Sequence, residues 1–406
     1  MKTFPRVAVL GAGIMGASTA LRLARRGSSV SLFDIEDQPF SCASRWNEGR
    51  IHLGFLYAND GSLETARRIL PGGLSFHRDV EDLLGSSLQD LITPSDDIYL
   101  IHKDSVVSAD LASDYFQSVM QLARDHPDAS HYMADLQRTR VHRLTRDELA
   151  RLADTDSIVA GFRIPERSVS TTDIADLYVA ALMSQPRIEQ HLSTRVIAVE
   201  PQQFGEWAGP WSIETVQGRH GPFDAVVNAL WQGRLVIDRT LGILPKAAWS
   251  HRYRLAVFAR TRESIEVPSI VVTIGPYGDI KYYGERRLYM SWYPIGLMAE
   301  GSAVPPPQLF AFDDAAKRKI FAGVVSELGR LLPQVRQITF SDEDVRVEGG
   351  WVFAMGTGSL SDPSATLHQR HRVGIHRHGT YFSVDTGKYS IAPWLSRQVA
   401  TALLGE

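Results

Sequence analysis

The stretch Val7-Ala-Val-Leu-Gly-Ala-Gly-Ile-Met-Gly-Ala17 limits what this chain can fold into more than any other. Val7 to Leu10 is a short unbroken apolar run, the pattern of a parallel strand buried on both faces. Gly11, Gly13 and Gly16 follow in G-x-G-x-x-G order, with Ala12, Ile14 and Met15 between them. Ile14 to Arg26 then has the apolar spacing of an amphipathic helix. Gly11 permits the tight turn, Gly13 lets backbone approach a pyrophosphate, and Gly16 lets helix pack closely on strand. The helix start turns unpaired N–H groups and a positive dipole end toward phosphate. Val30-Ser-Leu-Phe-Asp34 is a second apolar run, closed by an acid eighteen residues past Gly16. Asp34 is placed to accept hydrogen bonds from a ribose diol and to repel a 2′-phosphate.

At 406 residues the chain is too long for one compact core, so two domains are expected. A net charge of −3 gives no reason to expect nucleic acid or an anionic membrane as partner. Cys42 is the only cysteine, which excludes an internal disulfide and a cysteine-based zinc site. That fits a reducing compartment, and a cytoplasmic location is expected. The first strand follows Met1 so closely that no signal peptide is expected. No run reaches the roughly 18 apolar residues that span a bilayer. Pro305-Pro-Pro307 reads as a stiff connector.

After Asp34 the pattern changes. Glu36 to Asn59 is rich in Ser, Gly, Asn and Arg and has no helical period. A long polar loop beside a dinucleotide site points to a cofactor lying extended along the protein, FAD over NAD. Helices are expected over Leu63–Leu84, Ser108–Asp125, around Asp147–Arg151, and over Ile174–Met183 behind a Ser170-Thr-Thr-Asp173 cap. Glu189 to Glu200 reads as a strand pair of the cofactor domain, and Pro222–Leu230 as a further buried strand. Arg252–Arg260 and Ser269–Ile274 alternate as sheet strands do, and Gly284-Glu-Arg286 joins a hairpin of Asp279–Tyr283 and Arg287–Tyr293. Asp313–Leu332 is an amphipathic helix, Gly379–Val384 a strand, Gly387-Lys388 a turn and Ala392–Leu404 a closing helix.

Four stretches, in this order, resemble the flavoprotein family of D-amino acid oxidase, glycine oxidase and sarcosine oxidase. They are the fingerprint with Asp34; the loop Ser41-Cys-Ala-Ser-Arg-Trp-Asn-Glu-Gly-Arg-Ile-His-Leu-Gly-Phe55; Asp224-Ala-Val-Val-Asn-Ala-Leu-Trp231; and Val384-Asp-Thr-Gly-Lys-Tyr-Ser-Ile-Ala-Pro393. The resemblance implies an α/β fold, with a Rossmann-like FAD-binding domain of separated segments and an α+β substrate domain whose sheet is largely antiparallel. The segments expected are 1–80, 155–235 and 341–406 for FAD, and 81–154 and 236–340 for substrate. It puts Ser41, Ser44, Asn47 and Gly49 on the loop past the pyrophosphate. Val196, Ala229, Leu230 and Trp231 come beside the cofactor, as do Thr386, Gly387, Lys388, Tyr389 and Ser390 at the flavin's pyrimidine edge. Sarcosine oxidases attach flavin through a C-terminal cysteine, which this chain lacks. His52 lies near the place where some relatives attach flavin through histidine, but its spacing differs, so non-covalent FAD is expected. Where some members carry a strand lysine thought to help oxygen react, this chain places Tyr289 or its neighbours.

The resemblance implies oxidation of a C–N bond in a small amine or amino acid, with a hydride passing to flavin N5 and oxygen or another acceptor reoxidising the cofactor. Oxidation of a 2-hydroxy acid or alcohol on the same fold is the alternative, and a non-catalytic flavoprotein a more distant one. Lys388 suits negative charge developing near N1 and O2, or is a solvated lysine. Arg50 and His52 lie on the piece expected to reach the flavin face; His52 reads as base, substrate ligand or structural histidine. Arg45 reads as a pyrophosphate partner or a surface arginine. A substrate carboxylate would meet Arg50, Arg252, Arg254 or Arg370. Tyr282, Tyr283 and Trp292 are sheet core or pocket wall. His368-Gln-Arg-His-Arg372 reads as a solvated basic turn without metal-ligand spacing, and no metal is expected.

Overall fold

The computed structural model describes residues 5–201, 210–265, 267–309 and 311–405; residues 1–4, 202–209 and 406 of the expected FAD domain, and 266 and 310 of the expected substrate domain, lie outside the described residues. Arg6–Leu10 sits inside a six-stranded sheet ordered Gly374–His378, Tyr381–Asp385, Ala225–Asn228, Arg6–Leu10, Ser29–Phe33, Ile188–His191. Every neighbouring pair is parallel except the hairpin of the first two. The alternation of a strand sends Val7 and Val9 into a core shared with the helices Ile14–Arg25, Glu64–Leu84, Thr171–Ser184 and Ala392–Leu404. Ala8 and Leu10 point the other way, into a core with Val199, Trp211, Ile213 and Phe223. Those residues come from a three-stranded antiparallel sheet, Val196–Pro201, Trp211–Thr215 and Gly218–Phe223. Burial on both faces is why the run Val7 to Leu10 has no polar residue.

The second large sheet has nine strands: Asp97–His102, His142–Arg143, Ile158–Ile164, Trp249–Arg260, Ile270–Thr273, Gly278–Tyr282, Arg287–Trp292, Leu297–Gly301 and Arg346–Met355. Its pairs are antiparallel apart from Asp97–His102 beside Ile270–Thr273. Helix Asp314–Leu331 covers it, packing Ile320, Val324 and Leu328 against Leu255, Val257, Leu288 and Met290. Asp313 caps that helix, accepting a hydrogen bond from the Ala316 N–H at 2.7 Å.

Several sequence expectations change here. Glu189–Glu200 is not one strand pair: Ile188–His191 edges the parallel sheet, while Val196–Pro201 joins the three-stranded one. Ser193, at φ 51°, turns the chain between them, and the Thr194 N–H is held by the Asp34 carbonyl at 2.8 Å. Ile158–Ile164 and Arg346–Met355 fall in segments assigned to the FAD domain from sequence, yet both pair in the nine-stranded sheet. Arg346–Met355 runs alongside Trp249–Arg260 from Trp249 to Phe258, an extent of pairing that local sequence does not announce. Ser170 stands at the start of its helix as expected, but its hydroxyl donates to Asp173 instead of accepting a backbone N–H. No helix among the described residues is long and apolar enough to cross a membrane.

Candidate active site

A cavity of about 400 Å³ runs between the two large sheets, from the Gly11 turn at one end to Lys388 and Arg370 at the other. At the first end Gly11 has φ 97°, and a Cβ on Gly16 would lie 1.7 Å from the Gly11 carbonyl oxygen. Only glycine permits that approach of helix to strand. The helix carries no acid in its first turn and no side-chain cap of its own, and Gly13, Ile14 and Met15 at its positive end line the cavity. Asp34 lines the cavity and accepts from the N–H groups of Ala12 at 2.5 Å and Glu36 at 2.9 Å. Burial pushes its pKa up, against those hydrogen bonds.

The loop after Asp34 follows the cavity wall. Ser44 Oγ accepts from the Ile14 N–H at 3.0 Å, fastening the loop to the helix start. Asn47 folds the loop on itself, donating to the Ala43 carbonyl and accepting from the Gly49 N–H, both at 2.9 Å. Ser41 lines the wall and donates to the Gln38 carbonyl. Arg45 does not face the cavity; Asp176, on helix Thr171–Ser184, holds its guanidinium at 2.7 Å. Ala12, Gly16, Gly49, Val196 and Ser390 likewise stand outside the lining. Ala229, Leu230 and Trp231 line it where strand Ala225–Asn228 ends, and so do Thr386, Gly387, Lys388 and Tyr389 before the last helix.

Arg50 reaches the wall but is already paired, with Asp279 at 2.6 Å and Asp97 at 3.9 Å. Asp97 also pairs with the wholly buried Lys281. Lys281 is the strand partner of Tyr289, so a buried lysine does stand beside the position where the sequence suggested none. His52 is 2 % exposed, and burial first, then Lys388 and Arg50, hold its pKa well below the usual range. It is therefore a neutral imidazole, which makes it a poor base at neutral pH. Lys388 lies 5.5 Å over the Tyr57 ring, and burial together with Arg370 brings its pKa down to about 7.

The inner end gathers residues the sequence reading left scattered or missed. Arg252 donates to Tyr293 Oη at 2.9 Å, and Arg254 stacks on the Tyr293 ring at 4.6 Å. Arg370 and His368 line the same end, so the turn read as solvated is partly enclosed. Thr65 Oγ1, from helix Glu64–Leu84, accepts the Arg370 N–H at 2.9 Å and brings it there. Glu48, Tyr57, Tyr293 and Trp351 line the cavity too and were not anticipated; a glycine beside Glu48 and Trp351 in sequence was the only local signal. Tyr283 donates to the Glu48 carbonyl at 2.9 Å, while Trp292 and Tyr282 pack on the second sheet's core. Among the described residues no cluster of three or more His, Cys, Asp or Glu could hold a metal.

These features fit FAD. The glycine turn and helix end suit its pyrophosphate at the N–H groups that Ser44 and Asp34 leave open, and Asp34 suits its ribose. On the wall, His52 Nδ1, Tyr57 Oη and Tyr389 Oη are buried without a protein partner, open to a polar ring system. A parallel sheet ending in a glycine turn, closed over by an antiparallel sheet, is the build of a flavin-dependent oxidoreductase. The DAO family model, described as FAD dependent oxidoreductase, matches residues 6–370, and the chain belongs to that family. Its fold is similar to that of glycine oxidase from Geobacillus kaustophilus, with 17 % identity, 98 % of this chain and 95 % of that one covered, and a TM-score of 0.66. L-proline dehydrogenase from P. horikoshii shares 14 % identity, over 100 % and 94 % of the two chains, with a TM-score of 0.67. L-alpha-glycerophosphate oxidase from Mycoplasma pneumoniae with FAD bound shares 13 % identity over 98 % and 94 %, with a TM-score of 0.62. No curated protein matches the chain.

Proposed function

We propose that this FAD-dependent oxidoreductase oxidises the C–N bond of a small amino acid at the inner end of the cavity. FAD, when bound, would accept a hydride, which carries the two electrons of the oxidation, and these electrons would later pass to oxygen or another acceptor. The chain's own residues supply position and charge. Arg252 and Arg370 offer guanidinium donors to a substrate carboxylate, and Tyr57, Tyr293 and Trp351 wall the space around it. Oxidation at a C–N bond needs the amine neutral, so that its lone pair can form the C=N bond as the hydride leaves. A site with surplus positive charge lowers the pKa of an entering ammonium and favours that form. Lys388 and His52 are both held below their ordinary pKa values, by burial first and by neighbouring cations after it. Water then adds to the C=N bond of the released imine, giving a carbonyl compound and ammonia or an amine.

The observation that carries this reading is that Arg252, Arg370 and Lys388 line one cavity close enough to act on one another's charge. Relatives of the fold include proteins named glycine oxidase and L-proline dehydrogenase, which supports an amino acid, and a glycerophosphate oxidase, which makes C–O oxidation the competitor. Anaerobic mixing of the yellow holoprotein with a panel of amino acids and 2-hydroxy acids decides between them. Bleaching of the flavin by amino acids is expected. Bleaching by hydroxy acids alone would overturn the proposal, and so would no bleaching by either.

A further inference from the structure

Resting on the amino acid reading above, we infer that the substrate carries two anionic groups, bound between Arg252 and Arg370. The argument is one of charge balance in a partly enclosed space. The acids lining the cavity are few. Asp34 and Glu36 stand at the glycine-turn end. Asp279 is occupied by Arg50 at 2.6 Å and by the Ser291 hydroxyl at 2.5 Å. Asp97, behind the wall, is shared by Lys281 and Arg50. Asp385, beneath Lys388, lies 3.6 Å from Arg234 and accepts the Gly387 N–H at 3.1 Å. Glu48 is then the one carboxylate left on the lining for Arg252, Arg254, Arg370 and Lys388.

Against burial, Arg50 first, then Lys388 and more weakly Arg254, hold the Glu48 carboxyl below its ordinary pKa. Lys388 can release its proton near neutral pH. That leaves Arg252 and Arg370 as two cations without a contacting acid, the buried Asp385 acting on Arg370 only from a distance and shared with Arg234. Neither forms an ion pair with any described acid; Arg252 is 3 % exposed and its Nε is buried without a partner. An arginine does not shed its proton to relieve such a site. One carboxylate would give a contacting partner to one of these guanidinium groups, and two anionic groups would serve both. The donors match the demand: Arg252 has Nε unspent after Tyr293 takes its Nη1, and the Arg370 guanidinium makes no hydrogen bond to the described residues. The chemical class is an amino acid with a second acid function, carboxylate or phosphate.

Titrating the flavin absorbance of the holoprotein with unreactive anions tests this without turnover. Malonate and succinate should bind at least tenfold more tightly than acetate and propionate, as one extra charge-assisted contact implies. Inorganic phosphate binding more tightly than malonate would identify the second group as a phosphate. R370Q should cost malonate about tenfold to a hundredfold in affinity and acetate far less. R370K should fall between, and serves if R370Q does not hold flavin. Dicarboxylates binding no better than monocarboxylates to the unaltered holoprotein would overturn the inference. In the bleaching assay, alanine reducing the flavin as well as aspartate would do the same while leaving amino acid oxidation intact. Tight malonate binding with no bleaching by any amino acid would instead sink the reaction and spare the charge argument.

Discussion

A Cβ on Gly13 would come 2.7 Å from Ser44 Oγ, on the cavity side of the helix start. Gly13→Val adds two further carbons there, so the purified variant should be folded but colourless, having lost at least a hundredfold in FAD affinity. Circular dichroism and the visible absorbance of oxidised flavin check the two halves separately. Lys388 is the other residue whose surroundings set its behaviour. Its folded pKa, pushed down to about 7, lies below the 10.5 of an ordinary lysine. Between those values the unfolded chain binds more protons than the folded one, so the FAD-free protein gains stability from this group as pH rises from 7 to 10.5. Below that window the cost of the buried cation is present in full. Urea midpoints across the range should rise in the native protein and rise less in Lys388→Met. The same substitution should slow anaerobic flavin reduction by about a hundredfold if the side chain stabilises charge in the reaction. An unchanged reduction rate would assign Lys388 a structural role only.

Three strands, Asp97–His102, Ile270–Thr273 and Gly278–Tyr282, lie side by side, and the outer two share a buried ion pair across the middle one, Asp97 to Lys281. Burial lowers the Lys281 pKa while Asp97 opposes that shift. Removing one member of such a pair strands the other: Asp97→Asn or Lys281→Met should each cost about 3–5 kcal/mol. The double variant should cost less than the sum by about 1–3 kcal/mol, measured by chemical unfolding. Simple additivity would mean the pair is not coupled. The sequence was legible where structure is local. The glycine turn, the helices Glu64–Leu84, Asp314–Leu331 and Ala392–Leu404, and the hairpin at Gly284 came within a residue or two of their observed bounds. Each rests on a period or a turn contained in its own segment. Asp97 and Lys281 were not legible, because the partner that makes each tolerable in the interior is 184 residues away. For the same reason the turn carrying Arg370 read as solvated even though Arg370 was one of four candidate carboxylate partners: its shelter comes from Thr65 and the helix that begins at Glu64, far earlier in the chain.

Across the whole molecule, the cavity wall is drawn from both large sheets. Gly11, Ala229 and Lys388 adjoin the six-stranded sheet, and Arg252, Asp279 and Tyr289 belong to the nine-stranded one. A ligand filling that space touches both and stabilises only the state in which they face each other. FAD should therefore raise the unfolding free energy by about 2.7 kcal/mol at a hundredfold excess over its Kd, and by about 1.4 kcal/mol for each further tenfold. This holds only if the cofactor exchanges. Cys42 is a poor point of attachment, since burial and the acids Glu36 and Asp34 push its thiol up to about 12. It also stands at the Asp34 end of the cavity, away from Lys388. His52 is close enough to the flavin end to be tested directly. Acid precipitation of the holoprotein should release all yellow colour to the supernatant, and thermal scans should show Tm climbing with the logarithm of free FAD. Colour retained in the pellet, together with a Tm indifferent to added FAD, would mean the cofactor is bonded to the chain, with His52 the residue to replace first.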